Sequence, residues 1–262
     1  MVLPPAVGRL TGPDSGPGRL PEPADIAALA MVVLQHGAEA LRPDLTGRRV
    51  LISAGGTREP LDPVRYLGNR SSGLQGWALA RVAAARGADV VLVAANVELP
   101  APFGVRVVPV GTAEELRTAM LAEAPETDVV VMSAAVADFR PEHAATAKLK
   151  KGSAAEPSAV PLVRNPDVLA ELVTKRTAGQ LIVGFAAETG DDEGDVLTHA
   201  RAKLARKGCD LLVVNDVSGG KVFGSTDTEA VVLSAQGEVT PVPPGPKARL
   251  AHVVWDEVLR RL

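Results

Sequence analysis

The chain has 262 residues, 46% hydrophobic and 23% charged, so it can bury a sizeable core. Aromatic residues make up only 3%, which leaves the core to aliphatic side chains and argues against a stacking surface for single-stranded nucleic acid. A net charge of −3 is no footprint for general nucleic-acid binding, and one cysteine, Cys209, excludes an intrachain disulfide framework and any multi-cysteine metal site. The lone cysteine suits a reducing cytosol. The longest apolar run, residues 129–137, is too short to span a bilayer, and no secretory signal pattern opens the chain. A cytoplasmic location is therefore expected.

Residues 1–22 are rich in Gly and Pro and read as loop or tail. A helix is expected over 24–41, and Pro43 and Gly47 mark a linker. From residue 48 strands and helices alternate. The pattern predicts strands over 49–54, 89–94, 105–110, 129–132, 181–185 and 210–214, and helices over 74–86, 114–123, 167–176 and 194–207. Strands that are continuous apolar runs between helices imply an α/β, Rossmann-like, doubly wound and mainly parallel sheet with helices on both faces. A late hairpin is expected over 230–234 and 238–242 around Gln236-Gly237, and a last helix over 247–262. Cys209, just before an apolar strand, reads as a small core residue.

In such a sheet ligands bind beyond the carboxyl ends of the strands. After the first strand comes a long loop with Gly55, Gly56, Arg58, Arg65, Asn69 and Arg70, then Ser71-Ser72-Gly73 opening a helix. Glycines admit close approach of phosphate, and a helix start favours anions. Ser71 or Ser72 is placed to cap that helix. The spacing does not match G-x-G-x-x-G, and the second strand ends in Asn96 rather than a ribose-binding acid, which weakens a nicotinamide-dependent reductase reading. The P-loop pattern is also absent. After the strand over 129–132, small residues lead to Asp138, suited to a ribose hydroxyl or a base amino group, or to simple capping of a turn. Lys148, Lys150 and Lys151 form either a solvated loop or a phosphate clamp. Asn165-Pro166-Asp167 starts a helix, and Lys203 and Lys207 lie four apart on another. Phe185 ends a strand and suits either the core or a base. Density in phosphate-holding groups without an acid–base or nucleophile set suits a reaction run by positioning and charge neutralisation.

The segments SAGGTREPLDPVRYLGNRSSG, AAVADFRP, AKLKKG, RNPDVL, VGFAAETGD and ARAKLARKGCDLLVVND occur in one order over most of residues 47–262. In this order they resemble the phosphopantothenoylcysteine synthetase family. The resemblance implies CTP-dependent ligation of 4′-phosphopantothenate with L-cysteine through an acyl-cytidylate, with Mg²⁺ accompanying the triphosphate. It assigns Asn69, Arg65 and Lys148 to catalysis. It assigns Ala134, Asp138, Lys148, Asn165, Pro166, Asp167, Val168, Phe185, Lys203 and Lys207 to the nucleotide, beside Gly55, Ser71, Ser72 and Gly73 of the glycine–serine loop. A homodimer is implied, with partner residues completing the phosphopantothenate site. Residues 1–46 are expected to be a tail and linker helix, the first part resembling the C-terminal end of a flavin-dependent decarboxylase half. Thr11 stands near where relatives carry a catalytic cysteine, so FMN and decarboxylation are not expected of this chain. A non-enzymatic scaffold is a further alternative, and it predicts a folded dimer inert with CTP.

Overall fold

The computed structural model describes residues 5–23, 43–150, 159–188, 196–216 and 227–262, together with 26, 27, 30, 33, 34 and 37. Its centre is an eight-stranded sheet formed by β1 (Arg49–Gly55), β2 (Asp89–Ala95), β3 (Val105–Val110), β4 (Val129–Met132), β5 (Leu181–Glu188), β6 (Leu211–Asp216), β7 (Asp227–Ser234) and β8 (Val239–Pro246). The spatial order is β3-β2-β1-β4-β5-β6-β7-β8. The first six are parallel; β7 and β8 add an antiparallel hairpin at one edge. This is the doubly wound arrangement that the alternating apolar strands predict, and strand order reverses between β1 and β4.

Alternation along the strands builds two cores. Val50, Ile52 and Ala54 of β1 and Val129 and Val131 of β4 face one side, against α1 (Leu74–Ala85) and α5 (Lys247–Leu259). Leu51 of β1 and Val130 and Met132 of β4 face the other. There they meet α2 (Ala113–Glu123), α3 (Val168–Lys175) and α4 (Val196–Lys207). Each fully buried Leu, Ile or Val contributes roughly 1.5–3 kcal/mol. Trp255 is fully buried and donates from Nε1 to the Leu79 carbonyl, joining α5 to α1. Arg86, beyond the end of α1, is buried between Asp44 and Asp256, at 2.7 and 2.8 Å. It thereby ties the 44–47 turn to both helices, and Leu45 of that turn is itself core.

Several expectations change. Residues 1–22 are not simply a tail: Ala6–Arg9 and Ser15–Arg19 pair as an antiparallel ribbon. The turn is closed by the Leu10 N–H to the Asp14 carbonyl, so local backbone bonds offset the Gly and Pro content. The helix expected over 24–41 lies largely outside the described residues, as do Lys151 and the first residues of the helix expected from 194. Two further ribbons arise in the loops: Arg58–Pro60 with Tyr66–Gly68, and Phe139–Pro141 with Leu162–Arg164. Cys209 is buried and its thiol is pushed up to about 11 by burial, as befits a core residue. Among the described residues no helix is long and apolar enough to cross a membrane.

Candidate functional site

A cleft of about 810 Å³ opens over the carboxyl ends of β1, β4, β5 and β6, at the reversal of strand order. That volume is in the range of small-molecule sites. Its floor is sewn together by hydrogen bonds between the β1 and β4 exits. The Ala135 N–H donates to the Gly55 carbonyl, the Ala134 N–H to Ser53 Oγ, and the Ala137 N–H to Thr57 Oγ1. Asn96, at the end of β2, donates to the carbonyls of Gly56 and Gly111. It braces the β1 loop, and a ribose would find no acid there.

One wall is the start of α1. Neither Ser71 nor Ser72 caps this helix: the N-cap is Gly73, with φ of 75° and no side-chain cap bond. The reason is steric. A β-carbon on Gly73 would come within 2.7 Å of Val97 Cγ2, so the chain enters the helix through a left-handed glycine. Among the described residues no side chain caps the first turn of α1, and that turn carries no acid. Asn69 stands beside it, with Nδ2 donating to the Val136 carbonyl at 3.0 Å.

The opposite wall comes from the other face of the sheet. Asp167 is the N-cap of α3, accepting from the Ala170 N–H and from Lys207 Nζ. Burial pushes the Asp167 carboxyl up, but Lys207 and the Ala170 N–H outweigh it and hold the group below the usual range. Lys203 and Arg206 of α4 line the same wall. Asn165 is fixed through Nδ2 to the Ala137 carbonyl and accepts at Oδ1 from Arg140. Phe185 both packs on the core and lines the cleft.

The cleft brings together every nucleotide-binding residue expected from the sequence except Lys148. Three predicted cations lie off its wall. Arg58 stacks over the Tyr66 ring at 4.9 Å. Arg65 is held by Asp62, with Nε and Nη2 at 2.9 and 2.5 Å from Oδ2. Lys148 is exposed on the neighbouring segment. Asp62 is the link between them: its buried carboxylate also accepts from the Leu149 N–H, while Arg65 donates to the Leu149 carbonyl. Arg206, Asn215, Gln75 and Lys247 also line the cleft, and the sequence reading gave none of them a role in the site. Lys247 opens the last helix, far from any motif, so only its spacing to a helix start could have marked it.

Fold and cleft together define a Rossmann-like α/β protein with a polar cleft at its topological switch point, lined by helix starts and basic side chains. The chain belongs to the family of the DNA/pantothenate metabolism flavoprotein C-terminal domain, whose model matches residues 45–262. It is 56% identical over 264 residues to the coenzyme A biosynthesis bifunctional protein CoaBC of Mycolicibacterium smegmatis, covering 98% of this chain and 63% of that protein. The CoaBC of Mycobacterium tuberculosis is 54% identical over 265 residues, covering 99% of this chain and 63% of that one. The chain thus spans under two thirds of the length of these relatives. The crystal structure of the C-terminal domain of a CoaBC superposes with a TM-score of 0.69 at 32% identity, covering 83% of this chain and 97% of that domain.

Proposed function

We propose that residues 47–262 form a phosphopantothenate–cysteine ligase that uses CTP and acts in coenzyme A biosynthesis. The observation that carries this reading is the convergence of residues from separate motifs, on both faces of the sheet, into one cleft. In the first step the pantothenate carboxylate attacks the α-phosphorus of CTP, forming the acyl-cytidylate and expelling pyrophosphate. In the second the cysteine amine attacks the acyl carbon and CMP leaves with the bond electrons. The chain supplies positioning and charge: Lys203, Arg206 and the open N–H groups of α1 face the polyphosphate, and Asp138 and Asn165 face the nucleoside. Asn69 is anchored through Nδ2, which leaves its amide oxygen to accept a hydrogen bond from the incoming amine. Lys148, on the segment stapled by Asp62 and Arg65, neutralises charge in the first step.

Mg²⁺ belongs to the same proposal. Among the described residues there is no group of three or more His, Cys, Asp or Glu side chains that could cage an ion. An ion carried on the phosphate oxygens, with water completing its shell, needs no such cage. Bound there, the ion would offset triphosphate charge. Residues 1–46 are read as a linker from a decarboxylase half, in keeping with the longer relatives, and the working unit is read as a homodimer. Exposed Val64, Tyr66, Phe139 and Leu162 on and beside two adjacent ribbons support the dimer. No observation favours the reductase alternative, since Asn96 is spent on the backbone.

The test is pyrophosphate release from CTP with phosphopantothenate alone, followed by CMP release on adding cysteine. Absence of turnover with any nucleotide defeats the proposal. Asn69→Asp is expected to release pyrophosphate yet form no phosphopantothenoylcysteine; normal product formation would remove Asn69 from the second step.

A further inference from the structure

Of the lysines that line the cleft, Lys203 and Lys207 come from α4 on one face of the sheet. Lys207 is already paired with Asp167. A triphosphate carries several negative charges, and opposite α4 the wall offers it Arg70 and the start of α1 but, from these two lysines, no ammonium. The opposite face supplies the missing group. Lys247 is the first residue of α5, is half-buried, and lines the same cleft. Its backbone carbonyl accepts from Gln75 Nε2 at 3.3 Å, which brings the starts of α1 and α5 together at this corner. Both helices lack a side-chain cap and an acidic first turn.

We infer that Lys247 is a further phosphate-binding residue, gripping the terminal phosphates that leave as pyrophosphate. A lysine with a purely structural role usually extends its ammonium into water. Here Nζ turns back to a long 3.4 Å bond with the Asp227 carbonyl. Burial pulls its pKa below the ordinary lysine value, and the Asp227 charge opposes this in part. A bound anion would favour the charged form further. The assignment of these phosphates to CTP rests on the ligase reading; the anion subsite itself does not.

The experiment is calorimetric titration of the full chain with inorganic pyrophosphate and, separately, with CMP. Wild type is expected to bind both. Lys247→Gln should weaken pyrophosphate by about tenfold or more, the worth of a charge-assisted hydrogen bond, and leave CMP unchanged. Lys247→Arg should keep most of the pyrophosphate affinity. Lys247→Met retains the aliphatic stem and serves in place of Gln if that variant melts early. Unchanged pyrophosphate affinity in the neutral variants, an equal loss of CMP, or no pyrophosphate binding by wild type overturns the inference. Lysine-dependent pyrophosphate binding without CMP binding would instead sustain the subsite and defeat the nucleotide reading.

Discussion

Asp62 joins the loop that carries Arg65 to the segment that carries Lys148. Its side chain is buried and accepts from the N–H groups of Val64 and Arg65, from the Arg65 guanidinium and from the Leu149 N–H. The guanidinium is the main cause holding its carboxyl well below the usual range. A folded-state pKa below the unfolded one stabilises the fold at neutral pH, and this contribution is lost as pH falls below the ordinary carboxylate value. Asp62→Asn should therefore be less stable than wild type at pH 7, with the gap narrowing on acidification toward pH 3 in denaturant melts. It should also speed hydrogen exchange over residues 145–150 and slow pyrophosphate release, as Lys148→Gln should. Unchanged exchange there would dissociate Asp62 from the lysine segment. Arg65 and Lys148 were both legible as candidate catalytic residues. Their joining was not, because Asp62 and Leu149 are 87 positions apart and no local pattern records that contact.

Among the elements, the main strands and helices were read to within a few residues, since an apolar run of four to eight residues between helices has one stable place in a covered sheet. The three-residue ribbons escaped because neither period nor propensity can show over so short a span. The start of α1 was read wrongly for a related reason: Ser71 and Ser72 satisfy the local rule for caps, but Val97 leaves room only for glycine at the N-cap. The same crowding governs the end of β1. Gly55 has φ of 86°, and a β-carbon there would come within 2.0 Å of the Ala95 carbonyl oxygen. Gly55→Ala is expected to cost on the order of 3 kcal/mol in chemical denaturation and to weaken CTP binding. A variant of wild-type stability would show that the turn can be rebuilt.

At the scale of the molecule, the two exposed ribbons place Tyr66, Phe139 and Leu162 on the surface of one chain. If they meet a second copy, Leu162→Arg should shift the sedimentation of the protein from dimer to monomer while its melting temperature stays close to wild type. A monomeric wild type would count against the dimer. The sequence by itself determined the layered α/β class, pointed to the strand ends as the place of the candidate site, and marked many of the polar groups that line the cleft there. Apolar period and backbone chemistry are local properties, and the chain carries them wherever it folds. The tertiary structure decided the rest. It put Asn96 to bracing the β1 loop, tied Asp62 and Arg65 to Leu149 and Lys207 to Asp167, and brought Lys247 of the last helix to Gln75, more than 170 positions away in the chain. Those assignments depend on which surfaces meet when both faces of the sheet are covered, and only packing in three dimensions settles that.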